Sequence, residues 1–225
     1  MSNNKTYFLR VFTDGKGNFG DVASVVMDGG RHIADAERQA IALKLNTGET
    51  IFVNDLVSAD ISVVHPQGEL GFAGVGVVGA TWLLTKLRDK PTNKIHGRDG
   101  EITVWQEADL TWVRGPLSIM PSWNYKQLQN AKAVEKISLE DTKNWQHTMA
   151  WAWVDEGGGL IRARTFATDW GIPEAQGNGS GFMVLAAKLG RSIEAKHGEG
   201  SVIFAKPASN DCADIGGRVI NESQE

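Results

Sequence analysis

Short apolar runs alternate along this chain with longer segments whose apolar residues recur at helical spacing. Runs rich in β-branched and aromatic residues predict strands. They cover residues 7–12, 22–27, 49–54, 60–65, 102–105, 110–113, 149–154, 160–166, 193–195, 202–205 and 215–220. Helical spacing predicts helices over residues 34–45, from near Gly74 to Leu87, and over 182–189. The pattern therefore predicts a mixed α and β protein.

One order of elements occurs twice. Residues 61–87 and residues 161–189 each give a strand, a short loop with an acid, a glycine-rich turn and an apolar helix. Between them, residues 126–144 are polar and charged, which is typical of a crossover between two lobes, either helical or a linker. The sequence thus predicts a duplicated α/β architecture with two glycine-rich helix starts.

Composition and charge limit the kinds of molecule that this protein is expected to bind. The 225 residues suit one large domain or two small lobes, and 27 acidic against 23 basic residues leave no basic surplus for nucleic acid. The longest apolar stretch, residues 72–84, contains three glycines and is shorter than the roughly 18 residues that span a bilayer. Residues 1–5 carry no apolar leader, and the single cysteine, Cys212, excludes an internal disulfide and a multi-cysteine zinc site. We therefore expect a cytoplasmic protein without a nucleic-acid or membrane partner.

The two glycine-rich helix starts are candidate anion sites. A helix that begins at Gly74-Val-Gly76 or at Asn178-Gly-Ser180 has first-turn N–H groups without intrahelical acceptors, and small side chains let a carboxylate approach them. The alternative is that these glycines only allow close packing on a sheet. Gly74, Gly76 and Gly79 also match a dinucleotide fingerprint, although the preceding strand ends near His65 and no acid follows about 20 residues on.

Glu49 is the candidate acid for proton transfer. It lies between a helix-ending glycine and an apolar strand, where desolvation would raise its pKa toward the range that suits acid/base catalysis. A solvated surface carboxylate is the alternative. The five histidines share no metal-ligand spacing, so we expect no metal site.

Five ordered segments resemble the PhzF-like family of phenazine biosynthesis proteins, which has the diaminopimelate epimerase fold. They are Arg10–Asp14 with Gly17-Asn18, Leu45–Val53, Glu69–Val75, Arg164–Ala167 with Gly171–Ser180, and Asp214–Gly217. The resemblance implies an α+β fold of two pseudo-symmetric α/β lobes, each a central helix wrapped by a mixed sheet. It places the lobes at residues 1–115 and 116–225, with the crossover at about 116–148.

The resemblance also implies a cofactor-independent isomerase that moves a proton on a small carboxylate-bearing metabolite. Glu49 would be its acid/base residue, and a homodimer is expected. The substrate-binding positions carried over are Asn18, Gly74, Val75, Asn178, Gly179 and Ser180.

The chain departs from the family pattern at two polar positions. The histidine of the family is Val75 here, and its aspartate is Ala175. These changes favour the alternative of a catalytically degenerate relative that binds a small anion or acts as an assembly partner. Racemisation by two cysteines, the other chemistry of the fold, is excluded because the chain has one cysteine.

Overall fold

The computed structural model describes residues 4–65 and 68–222. Its strands in the first half are β1 (Thr6–Thr13), β2 (Asp21–Met27), β3 (Glu49–Asp55), β4 (Asp60–His65), β5 (Gly68–Leu70), β6 (Lys94–Gly97), β7 (Gly100–Glu107) and β8 (Leu110–Pro116). Those of the second half are β9 (Asn124–Gln127), β10 (Thr148–Asp155), β11 (Leu160–Ala167), β12 (Ile172–Ala175), β13 (Ile193–His197), β14 (Ser201–Pro207) and β15 (Cys212–Asn221). The α-helices are α1 (Asp35–Leu45), α2 (Gly74–Arg88), α3 (Ala131–Glu135) and α4 (Gly179–Leu189).

Across the described residues these strands form one continuous mixed sheet. Its order is β1-β2-β3-β4-β6-β7-β8-β15-β14-β13-β11-β10-β9, with β5 paired to β4 and β12 paired to β11. The closing strand β15 pairs with β8 and β14 and also returns to β1. The last strand of the chain therefore ties the first half of the sheet to the second.

The duplication predicted from the sequence is present in the element order. The series β2-α1-β3-β4-β5-α2-β6-β7-β8 is repeated as β9-α3-β10-β11-β12-α4-β13-β14-β15. The pairing directions repeat as well, because β2 with β3 and β9 with β10 are parallel, and so are β4 with β6 and β11 with β13. The exact division at residue 115 stays a prediction, and residues 1–3, 66–67 and 223–225 of the two predicted lobes lie outside the described part.

The two central helices are buried inside this sheet. Every residue of α2 from Gly74 to Thr81 is buried, as is α4 from Gly179 to Met183. A helix enclosed on all sides needs apolar or small residues around its whole circumference, which is the composition that the sequence gives these two segments. Among the described residues, no helix is long and apolar enough to cross a membrane.

The elements that the apolar pattern did not predict are short. β5, β6, β9 and β12 have three or four residues each, too few to establish a period of two. The segment 126–144, predicted as helix or linker, holds the end of β9, the five-residue helix α3 and turns. These elements depend on pairing with distant strands more than on their own sequence.

Candidate active site

The N-termini of the two central helices meet. A Cβ built on Gly74 would stand 2.8 Å from the Cα of Gly179, and a Cβ on Gly179 would stand 2.8 Å from the Cα of Gly74. Only glycine allows two backbones to approach this closely. These two glycines therefore allow close packing, of one helix on the other and not on a sheet, and the same contact brings both helix starts to one place.

The first turns of both helices face a shared cavity of about 410 Å³. Its wall combines helix-start residues, the acids Glu49 and Glu69, and a large apolar and aromatic surface. The lining includes Phe72, Gly74, Val75, Trp123, Trp170, Ala175, Gly177, Asn178, Gly179 and Ser180. Within the described part of the chain, no lysine or arginine lines this cavity. The charge of a bound anion would accordingly be met by backbone amides and the positive ends of two helices.

Glu49 is half-buried and lines this cavity, so it is not the solvated surface carboxylate of the alternative interpretation. It is the first residue of β3, and its Oε2 accepts a hydrogen bond of 2.6 Å from the backbone N–H of Gly76 in the first turn of α2. Burial, assisted by the negative charge of Asp21, raises the pKa of Glu49 to about 8, and the Gly76 hydrogen bond opposes that rise. A carboxyl group with this pKa can both lose and regain a proton near neutral pH.

The start of α4 is shaped by side-chain hydrogen bonds. The Oδ1 of Asn178 accepts from the N–H of Gly181 at 2.9 Å, and the Nδ2 of Asn178 donates to Thr165 Oγ1 at 3.2 Å. Asn178 is thus an N-cap that is already occupied on both atoms. Ser180 Oγ accepts from the indole N–H of Trp123 at 3.1 Å, which holds this hydroxyl at the cavity wall.

An aromatic cluster that the sequence analysis did not identify forms one side of the cavity. Trp123 and Trp170 contact each other edge to face at 5.2 Å, and the ring of His147 stacks on Trp170 at 4.7 Å. His147 Nδ1 lies 2.8 Å from Asp169 Oδ2, which fixes the orientation of the imidazole. No local signal marks these residues, because they come from separate segments. Trp151 is buried in the core and does not line the cavity.

The predicted site residues divide into two groups. The cavity brings together Glu49, Gly74, Val75 and, from the second half of the chain, the three residues Asn178, Gly179 and Ser180. Asn18 is not among them: it is exposed in the loop between β1 and β2, where its N–H and Nδ2 donate to Asp14. Its predicted role in substrate binding stays a prediction without support from this arrangement.

The two positions that depart from the family pattern both line the cavity. Val75 and Ala175 present apolar side chains where the resemblance would place a histidine and an aspartate. The polar groups that remain in this part of the cavity are consequently the carboxyl group of Glu49, backbone amides and the hydroxyl of Ser180. The glycines of the dinucleotide fingerprint lie within α2, where Gly74 contacts α4 and Gly76 contacts Glu49. No three His, Cys, Asp or Glu side chains in residues 4–65 and 68–222 converge as metal ligands would.

The fold is that of the PhzF-like and epimerase class, which confirms the α+β fold predicted from the motifs. No family model matches the sequence. The structure is similar to a PhzF family phenazine biosynthesis protein from Enterococcus faecalis, with a TM-score of 0.80, 16% identity, and coverage of 98% of this chain and 97% of that one. A Bacillus anthracis protein of the PhzF family gives 0.76 at 16% identity, with 97% and 98% covered.

The likeness extends to amino-acid epimerases. A hydroxyproline epimerase from Agrobacterium vitis, with bound trans-4-hydroxy-L-proline, superimposes with a TM-score of 0.59 at 11% identity, covering 98% of this chain and 91% of that one. The chain therefore has the PhzF-like fold, and this fold is shared with isomerases.

Proposed function

We propose that this protein is a PhzF-like, cofactor-independent isomerase that moves a proton on a small carboxylate-bearing metabolite, with Glu49 as the acid/base residue. The observation that carries the proposal is the position of Glu49. It lines a cavity into which two helix N-termini converge, and one of those helices donates the Gly76 N–H to it.

The reaction needs one proton and no external reductant or oxidant. Ionised Glu49 removes a proton from a carbon that is conjugated to the substrate carboxylate. The electron pair left behind spreads into the conjugated system, where first-turn N–H groups at Val75 and Ser180 stabilise the developing negative charge. Protonated Glu49 then returns the proton to a different carbon on the same face, which shifts the double bond and regenerates the carboxylate.

The pKa of Glu49 predicts the pH range in which this reaction can begin. With a pKa of about 8, roughly one-tenth of the molecules carry an ionised Glu49 at pH 7. For a base-first reaction, kcat/KM therefore rises with pH up to about 8. The high pKa also makes the ionised form a stronger base than a surface glutamate.

The cavity wall guides the choice of substrates for a test. Phe72, Trp123 and Trp170 offer apolar and aromatic contacts, and the described lining has no cation for a second carboxylate. The panel should accordingly contain unsaturated cyclic and open-chain monocarboxylates, with dicarboxylates for comparison. Each acid is incubated in D₂O, and deuterium uptake at carbon is followed by NMR.

The expected result is uptake with the wild-type protein and a loss of about 10²–10⁴-fold in Glu49→Gln, the usual contribution of a positioned acid or base. Glu107→Gln, which changes the same chemistry at an exposed position of β7, is the matched control and should exchange at the wild-type rate. Uptake that persists in Glu49→Gln, or no uptake with any acid, contradicts the proposal.

The second candidate function is a degenerate relative that binds a small anion or acts as an assembly partner. It is favoured by Val75 and Ala175, which leave the cavity wall apolar at two positions where the resemblance places polar groups. Thermal-shift measurements with carboxylates and phosphates separate the candidates, because tight binding without deuterium uptake supports this one. The homodimer and the cytoplasmic location stay predictions.

A further inference from the structure

Asp21 is a second carboxyl group beside Glu49 that the proposed reaction does not use. β2 begins at Asp21 and β3 begins at Glu49, and the two strands pair in parallel with Ala23 opposite Glu49. Alternate residues of a strand point to the same face, so Asp21 projects from the same side of the sheet as Ala23 and Glu49. The strand register therefore places both carboxyl groups on one face of the sheet.

Close contacts locate Asp21 directly behind the cavity wall. A Cβ on Gly177 would stand 3.0 Å from Asp21 Oδ2 and 2.8 Å from Val75 Cγ2. A Cβ on Gly48, the residue before Glu49, would stand 3.3 Å from Asp21 Oδ1. Asp21 thus lies against Gly177 and Gly48, and it is not among the residues that line the cavity.

The backbone amides near the two carboxyl groups differ. Those of Val22 and Gly177 lower the pKa of Asp21, whereas Glu49 receives the N–H of Gly76 at 2.6 Å. Amide donors favour the ionised form, so negative charge is better accommodated on Asp21 and the proton on Glu49. In agreement, burial raises the pKa of Asp21 to about 6, below the value of about 8 for Glu49.

The surrounding charges do not neutralise the pair. Arg10 of β1 is the nearby cation, but it forms an ion pair with Glu222, and its lowering effect on the pKa of Asp21 is weaker than burial and both amides. From the other elements that line the cavity, β4 and β5 contribute His65 and Glu69. No lysine or arginine within the described residues makes an ion pair with Asp21 or Glu49.

We propose that Asp21 is a positioning residue that acts through Glu49: the two carboxyl groups hold one proton between them near neutral pH, and ionised Asp21 keeps that proton on Glu49. The consequence for catalysis rests on the proposed function, because Asp21 would then set the pH at which Glu49 becomes a base. The shared proton itself is a property of the free protein and can be measured without a substrate.

The test is a titration of side-chain carboxyl ¹³C shifts from pH 5 to 9 in protein labelled at aspartate and glutamate, with Glu49→Gln used to assign Glu49. In the wild type we expect the Glu49 signal to titrate near pH 8. In Asp21→Asn, which keeps the side-chain size, its midpoint should fall by about one unit, the size of effect that coupled sites show. Burial remains in this variant, so the midpoint stays above that of an ordinary glutamate.

Two further measurements keep the result interpretable. Asp35→Asn removes one negative charge at a position whose side chain is 83% exposed, and it should leave the Glu49 midpoint unchanged. If Asp21→Asn does not fold, the coupling is read in the wild type, because ionisation of Glu49 near pH 8 should give the Asp21 signal a second step that Glu49→Gln removes. Where deuterium uptake is observed, the acidic limb of kcat/KM should also move down by about one pH unit in Asp21→Asn.

An unchanged Glu49 midpoint in folded Asp21→Asn, or a wild-type Asp21 signal without a second step near pH 8, overturns the shared proton. That outcome leaves the proposed isomerase function intact. Conversely, coupled midpoints in a protein that exchanges no substrate would support the pair and count against the isomerase.

Discussion

Contact between the two helix N-termini makes Gly179→Ala the most informative perturbation of this site. The added Cβ would stand 2.8 Å from the Cα of Gly74, whereas carbon atoms in ordinary contact are about 3.5–4.0 Å apart. The obstructing atom belongs to the backbone and cannot rotate away. The two helix starts must therefore separate by about 1 Å, the difference between those distances.

This displacement has a cost in stability and a larger one in function. Overpacking typically costs about 1–3 kcal/mol, and the better helix propensity of alanine offsets up to about 1 kcal/mol, so we expect a net loss of about 1–2 kcal/mol. The N–H groups that are proposed to hold the substrate carboxylate move with the helices. A misplacement of about 1 Å can lower the rate about 100-fold, and we expect a loss of that order in kcat/KM.

The assay compares Gly179→Ala with Gly79→Ala, a substitution inside α2. A Cβ on Gly79 would meet the ends of the Val11 and Leu9 side chains at 3.2 and 3.4 Å, and these can shift by a few tenths of an ångström. Urea denaturation gives the stability of each variant, and deuterium uptake with the best acid of the panel gives kcat/KM. Wild-type kcat/KM in Gly179→Ala would refute the reasoning that the two helix starts act together on the substrate.

Two further predictions concern stability. Glu49 has a pKa of about 8 in the folded protein against an ordinary value of 4.5, so the stability that its proton contributes is complete below about pH 4.5 and lost as pH rises through about 8. The thermal midpoint of the wild type should thus fall relative to Glu49→Gln between pH 5 and 9, and parallel curves would contradict this. Asp28→Asn leaves the buried guanidinium of Arg38, 2% exposed, without its carboxylate, at an expected cost of about 3–5 kcal/mol in urea denaturation; a loss below about 1 kcal/mol would show that Asn54 alone suffices.

Glu49 illustrates how far a sequence motif reaches. Its place after a helix-ending glycine and at the start of an apolar strand predicted a desolvated acid, and the structure puts it in the cavity lining. The competing interpretation, a surface acid, was equally compatible with the local pattern. Only the packing of α2 against β3, which brings the Gly76 N–H to Glu49, decides between them.

Asn18 illustrates the opposite case. A Gly-Asn pair in a loop after the first strand resembled a substrate-binding motif, but its side chain is engaged with Asp14 at the surface. Asp21, three residues later, is the acid that lies beside Glu49. The sequence does not show which of these two polar residues lies near Glu49. The loop between β1 and β2 has no periodic pattern of apolar residues that would fix the direction of its side chains.

By itself the sequence determined the order of strands and helices, the duplication, and the two buried helices with glycine at their starts. These features are local, since they depend on the spacing of apolar and small residues within a dozen positions. The tertiary structure alone decided which residues meet: Gly74 with Gly179, Trp123 with Ser180, and Gly76 with Glu49. These contacts join positions 27 to more than 100 residues apart, and the pairing of β15 with β1 and β8, which no local pattern encodes, helps to bring the two halves together.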